Sequence, residues 1–149
     1  MREALKEAKS AFEEGEVPVG AVVVDGDRLI GRGHNRVEAL KDATAHAEII
    51  AIGAASSAKE DWRLEGTTMY VTVEPCMMCM GALFFSRVSH LVYGTRDRRA
   101  GACGGAIDLG KIGYMDRSIA VEGGLLESES QKLVLEFFAR LRQSEKPLP

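Results

Sequence analysis

Apolar residues recur at helical spacing over residues 3 to 14, where Ala4, Leu5, Ala8, Ala11 and Phe12 share one side, and Gly15 stops the repeat. The run "VGAVVV" (Val19 to Val24) reads as a strand. Asp25-Gly26 is a tight-turn signal, and "RLIGRGH" is the strand that returns from it. From Ala45 to Ser57, small residues interspersed with Ile49, Ile50 and Ile52 predict a buried helix. "TTMYVTV" (Thr67 to Val73) is a third strand. Pro75 follows it at once and suits a first helical turn, so a helix is predicted over Cys76 to Ser86. "HLVYG" (His90 to Gly94) predicts a fourth strand and "SIAVEGG" a short fifth, while residues 97 to 117 are glycine-rich and show no clear period. Leu126 to Gln143 is a last amphipathic helix, with Leu133, Val134, Phe137, Phe138 and Leu141 on one side.

Helices and strands alternate, which predicts an α/β fold with a central sheet covered on both faces. The hairpin at Asp25-Gly26 makes that sheet mixed. The chain has 149 residues with no internal repeat and no linker, the length of one domain with one core, so residues 1–149 are expected to form a single domain. The first residues lack the apolar centre of a signal peptide and no run is long enough to span a bilayer, so a cytoplasmic protein with no membrane partner is expected.

Charge changes this picture only locally. The net charge of -3 points to no nucleic-acid partner, yet "RDRR" (Arg96 to Arg99) is a basic knot and the last helix region carries Lys132, Arg140, Arg142 and Lys146. Taken alone, such clusters are solvated surface. Three cysteines cannot all pair within the chain, and Cys-x-x-Cys in a reducing compartment points to metal or redox chemistry.

Two stretches carry the chemistry: "TAHAE" (Thr44 to Glu48) and "EPCMMC" (Glu74 to Cys79). Both fall at predicted helix starts, where free N–H groups and a partial positive charge ease ionisation of thiols. Zinc takes sulfur and nitrogen ligands in a tetrahedron, and catalytic sites use three protein ligands. His46, Cys76 and Cys79 make three. Zinc lowers the pKa of water to roughly 7, and Glu48 is the carboxylate placed to shuttle protons. Residues two apart diverge on a regular helix, so His46 and Glu48 converge only if the histidine stands at the very first turn. A redox reading of the cysteines leaves His-x-Glu and the preceding proline without a role. Cys103 as a fourth ligand, which would make the zinc structural, leaves Glu48 unexplained and draws on a flexible segment, Gly101 to Gly105.

The combination H-x-E with P-C-x-x-C is the signature of zinc-dependent nucleobase deaminases. With "EVPVGAVVV", "HNRV", "DATAHAEIIAI", "MYVTVEPCMMC", "YGTRD", "GACGG" and "EFFARLR", the chain resembles the TadA-type tRNA adenosine deaminases of the cytidine/deoxycytidylate deaminase superfamily from about residue 3 to residue 143. The resemblance implies a three-layer α/β/α cytidine-deaminase-like fold with a central mixed sheet of about five strands, and a homodimer. It implies hydrolytic deamination of the wobble adenosine in a tRNA anticodon to inosine, with ammonia released. Carried over position by position, it implies His46, Cys76 and Cys79 as ligands of Zn2+ and Glu48 as proton carrier. Asn35 would hydrogen-bond the flipped nucleoside, and Val19 with the main chain near Ala45 and Ala47 would line the base pocket. Asp97, Arg99 and Phe138 would touch the anticodon stem-loop, and Arg96, Arg98 and Arg99 would meet phosphates. The chain departs from the family pattern at Ala43, at Phe84-Phe85 and in "MDRS" (Met115 to Ser118), all away from the predicted ligands. Two alternatives stay open: a small-molecule deaminase of the same superfamily acting on guanine, cytosine or a nucleotide, and a zinc-stabilised interaction module without catalysis.

Overall fold

The computed structural model of the chain describes residues 1–112 and 117–144; Met115 and Asp116 of the "MDRS" stretch, and Lys146, lie outside them. The chain begins with helix α1 (Arg2–Glu13) and a hairpin of strands β1 (Gly20–Asp25) and β2 (Arg28–His34), turned at Gly26 with φ +58. A short helix α2 (Val37–Leu40) leads to helix α3 (Ala47–Lys59). Strand β3 (Thr68–Val73), helix α4 (Met77–Phe85) and strand β4 (His90–Thr95) form a βαβ unit. A short helix α5 (Leu109–Ile112), strand β5 (Ala120–Gly123) and helix α6 (Glu127–Ser144) complete the described chain.

The sheet order is β2-β1-β3-β4-β5. β1 runs antiparallel to both β2 and β3, whereas β3, β4 and β5 are parallel. Helices α1 and α6 pack on one face and α3 and α4 on the other, so the predicted five-strand mixed sheet in a three-layer arrangement is what forms. This topology brings the C-terminal ends of β2, β3 and β4 to one edge, together with the beginnings of α3 and α4. Open α/β sheets build ligand sites at such an edge.

The packing of α3 differs in detail from its sequence reading. Its buried face is Ala47, Glu48, Ala51 and Ala55, while Ile49, Ile50 and Ile52 are half-buried. The cause lies in β2. A Cβ on Gly31 would collide with the Ala51 carbonyl, and one on Gly33 would stand 2.7 Å from the Ala47 carbonyl oxygen. Helix and strand approach so closely that only small side chains fit between them. Helix α4 is apolar on both sides because it has two kinds of surface: Cys79, Met80, Leu83 and Phe84 are buried, whereas Met77 and Phe85 are 65% and 60% exposed. Helix α6 buries Ser130 and leaves Leu135 and Leu141 exposed, so it lies on the sheet as a wall rather than within the core. The sequence pattern left residues 35–44 and 97–117 without elements, and α2 and α5, which fall there, are one-turn helices held by contacts distant in sequence.

Candidate active site

His46 and Cys76 occupy equivalent positions. Each is the residue just before a helix, in extended backbone: φ -73, ψ 152 for His46 before α3, and φ -74, ψ 174 for Cys76 before α4. Because His46 stands outside the helical turn, the divergence of residues two apart does not apply, and it faces the same cavity as Glu48. His46 Nδ1 lies 3.7 Å from Cys76 Sγ and 3.5 Å from Cys79 Sγ. One ligand atom from each of the three residues lies within 4.8 Å of the others. Zinc–sulfur bonds of about 2.3 Å and zinc–nitrogen bonds of about 2.0 Å in a tetrahedron set sulfur and nitrogen ligands about 3.6 Å apart. The observed spacings are those of a tetrahedral zinc site, and the soft donor set suits the same ion.

Cys103 is not among these residues. It is buried, its Sγ lies 3.4 Å from Met80 Sδ, and burial pushes its thiol up to about 12. A structural site with Cys103 as fourth ligand is therefore not what the fold builds. The segment around it is held, not loose: Cys103 and Gly105 both donate main-chain hydrogen bonds to the Glu74 carboxylate.

The ionisation of the cluster follows from its crowding. Hydrogen bonding from the Cys79 thiol, aided by His46, lowers Cys76 to about 4 against the opposing effect of burial. Donation to Cys76, with burial second, pushes Cys79 up. His46 is raised, chiefly by its hydrogen bond with Cys76. A thiolate is thus preformed at Cys76, the state in which sulfur binds a metal. Glu48 is also buried, and that burial raises its carboxyl above the usual range. Its Oε2 is buried with no hydrogen-bond partner among the described residues. Native proteins pair nearly all such atoms, and an unpaired one facing a cavity marks a place reserved for water or substrate.

The cavity has a volume of about 730 Å³. Its floor is His46, Ala47, Glu48 and Cys76; Val19 and Asn35 stand at one side, and Val134, Leu135 and Phe138 of α6 at another. Arg96, Asp97 and Arg99 form the rim. Of the residues expected to meet substrate, Val19, Asn35, Ala47, Asp97, Arg99 and Phe138 all border this space. Ala45 does not. Its N–H donates to the Asp42 carbonyl and its carbonyl accepts from Arg36 N–H, so its main chain is spent on shaping the loop before α3. Asp97 reaches the rim with its carboxylate engaged, accepting from the N–H groups of Arg99 and Ala100 at 2.8 and 3.2 Å.

Glu16 escaped the sequence reading. It is buried, and its carboxylate accepts from Asn35 Nδ2 at 3.1 Å and from the N–H groups of Glu38 and Ala39 at 3.2 and 2.7 Å. It therefore orients Asn35 and ties down the start of α2. The signal was a charge in "GEVPVG", between a helix end and an apolar strand.

Residues 1–95, which include His46, Glu48, Cys76 and Cys79, match the cytidine and deoxycytidylate deaminase zinc-binding region. The tRNA-specific adenosine deaminase of Bacillus subtilis is 44% identical over 146 residues, covering 98% of this chain and 91% of that protein. The chain belongs to the zinc-dependent cytidine and deoxycytidylate deaminases, on the branch of the tRNA-specific adenosine deaminases. A chloroplastic tRNA(adenine(34)) deaminase of Arabidopsis thaliana is 46% identical over 93% of the chain, which spans 12% of that longer protein. Among solved structures, one from a study of A-to-I editing by tRNA:A34 deaminases superposes with a TM-score of 0.85 at 44% identity, covering 89% of this chain and 96% of the other. A guanine deaminase from Nitrosomonas europaea superposes with a TM-score of 0.80 at 28% identity over 93% of this chain and 82% of its own. The chain is thus a zinc-dependent deaminase, and no helix among its described residues is long and apolar enough to cross a membrane.

Proposed function

We propose that this deaminase converts the wobble adenosine of a tRNA anticodon to inosine, with water consumed and ammonia released. The observation that carries the reading is the His46–Cys76–Cys79 cluster beside the unpaired Glu48 Oε2 at one cavity that Arg99 and Phe138 also line. His46 Nδ1, Cys76 Sγ and Cys79 Sγ would hold the zinc, which when bound would supply a Lewis acid that brings the pKa of water to roughly 7. Glu48 Oε2 takes a proton from the attacking water, delivers it to a ring nitrogen of adenine, and carries the second to the departing amine. Both protons of the water are then accounted for, one on the ring and one in ammonia. The raised carboxyl of Glu48 suits a group that must hold a proton between two such transfers.

Asn35, held by Glu16, and Val19 fix the base against the floor. An adenine must leave its stack to reach such a site, and an anticodon loop already displays unstacked bases. Phe138, 38% exposed, offers a face on which a neighbouring base can stack, and Arg99 a charge for phosphate. The net charge of -3 is no obstacle, since Arg96 and Arg99 stand exposed beside the cavity where a phosphate would approach.

The same reading takes residues 1–149 as one deaminase domain that works as a homodimer. The exposed apolar side of α4, with Met77 and Phe85, together with Ile112 of α5 at 76% exposure, supports a self-complementary interface there. Three free cysteines and a tRNA substrate fit the reducing cytoplasm. The likeness to a guanine deaminase keeps free bases as the competing substrates. The test is ammonia release by the zinc-loaded protein from an anticodon stem-loop with a wobble adenosine, beside free adenosine, guanine and cytosine. Release from the stem-loop alone supports the proposal; release from guanine or cytosine alone overturns it.

A further inference from the structure

Glu74 lies between β3 and the Pro75-Cys76 step and is buried at 3% exposure. Its partners are main-chain N–H groups. Oε1 accepts from Cys103 at 2.7 Å and from Gly105 at 2.8 Å, and Oε2 accepts from Asp97 at 3.0 Å. All three donors belong to one loop, the glycine-rich segment after β4. That loop is also fastened to the metal-ligand segment through its main chain: Ala102 N–H donates to the Pro75 carbonyl at 2.8 Å, and Gly101 pairs with Cys76. The glycines are the mould of this carboxylate. A Cβ on Gly101 would strike Glu74 Cδ, and one on Gly105 would stand 2.6 Å from Glu74 Oε2.

The hydrogen bonds continue outward from Glu74 to the rim. Asp97, whose N–H is bound by Glu74, accepts with its carboxylate from Arg99 and Ala100 and with its carbonyl from Gly101 N–H at 3.0 Å. The turn that presents Arg98 and Arg99 to solvent is thus anchored at Asp97 to a side chain two positions from Cys76.

We propose that Glu74 is a positioning residue for RNA: by holding Asp97, it sets the Arg99 turn at a fixed place relative to the metal ligands, so that phosphate contact and the deamination centre stay in register. This rests on Arg99 as a phosphate contact of the proposed tRNA substrate. Glu74 borders the cavity, but its carboxylate is engaged by the main chain of the loop after β4, and in this role it acts through Asp97 and Arg99.

The test uses Glu74→Gln, which keeps the shape of the side chain. Its Oε1 can go on accepting from Cys103 and Gly105, but its Nε2 faces the Asp97 N–H, donor against donor. Zinc content and kcat at saturating stem-loop are expected to stay near wild type, while KM rises about tenfold, the factor for one charge-assisted hydrogen bond lost. The salt dependence of stem-loop binding should flatten by about one unit of slope at most, as one phosphate contact is lost. The decisive reading is the double variant: Glu74→Gln with Arg99→Ala should bind no more weakly than Arg99→Ala alone, because the two changes remove one interaction. Gly105→Ala keeps the Glu74 charge but crowds both the Asp97 carbonyl oxygen and Glu74 Oε2, disturbing the same contact sterically, and should raise KM and be absorbed by Arg99→Ala in the same way; it carries the test if Glu74→Gln does not fold. A fall in zinc content or kcat with KM unchanged, or effects that add in full to Arg99→Ala, would overturn the proposal while leaving Arg99 as a phosphate contact. Stem-loop binding by Arg99→Ala as tight as wild type at every salt concentration would remove the phosphate contact itself, and the proposal with it.

Discussion

Replacing Glu48 by glutamine should move stability and activity in different directions. Glu48 is 3% exposed, its Oε2 has no hydrogen-bond partner among the described residues, and burial is the largest influence on its carboxyl. Burial penalises the charged form of this carboxyl, so the ionised side chain is a burden on the fold. Glutamine has nearly the same shape and lacks the charge that burial penalises. The variant is expected to be as stable as wild type or up to about 1 kcal/mol more so, a rise in Tm of about 2–4 °C for a chain of this size. Activity should collapse, because an amide cannot relay the proton. One positioned group contributes typically about 10²–10⁴ per proton transfer, and Glu48 serves two transfers, so kcat should fall by about 10⁴ or more. That is about 5.5 kcal/mol of barrier. Single-turnover rates at saturating stem-loop, zinc content and Tm would be read on the same preparation. A rate within about tenfold of wild type at full zinc occupancy would refute the proton-carrier role. Joint loss of zinc, Tm and rate would show Glu48 to be a structural prop instead.

Cys79→Ala should lower zinc content and deamination together, and X-ray absorption on the wild type should count two sulfurs at about 2.3 Å from zinc; a third sulfur would point to Cys103 and contradict the site. Gly33→Ala places a methyl 2.7 Å from the Ala47 carbonyl oxygen and 2.8 Å from Ala51 N, both main chain of α3. Overpacking of this kind should cost about 1–3 kcal/mol in thermal or denaturant unfolding, and an unchanged midpoint would show that α3 and β2 are not so tightly apposed. The wild-type chain should sediment as a dimer at micromolar concentration. Met77→Glu should shift it to monomer, since a charge would have to be buried in the interface; a monomeric wild type refutes the α4 interface.

The strands and the two catalytic helices were legible because their signals are local. Short apolar and β-branched runs marked β1 to β4, Asp25-Gly26 marked the hairpin, and Pro75 marked the start of α4. The ligand set was legible for a similar reason, since His-x-Glu and Pro-Cys-x-x-Cys each sit at a helix start and need no distant partner to be seen. What escaped depends on contacts far apart in sequence. The buried face of α3 is alanine because β2 brings glycines against it, a fact that Ile49, Ile50 and Ile52 obscure. Glu16 and Glu74 are single charges in apolar surroundings, and their partners lie 19 to 31 residues away. The segment from Gly101 to Gly105 looked loose for the same reason: its glycines make room for a carboxylate that arrives from another strand. Ala45 was placed at the base pocket by position in a motif, whereas its main chain turns out to be committed to Arg36 and Asp42.

The most direct test of tRNA wobble deamination is to locate the product. Zinc-loaded protein would be incubated with an anticodon stem-loop carrying one adenosine at the wobble position and others elsewhere in the loop and stem. Nuclease digestion and mass spectrometry then assign each adenosine-to-inosine conversion to its position. Inosine at the wobble position alone, absent with Glu48→Gln and after zinc chelation, is the expected result. No inosine at that position, with guanine or another free base deaminated under the same conditions, would contradict it.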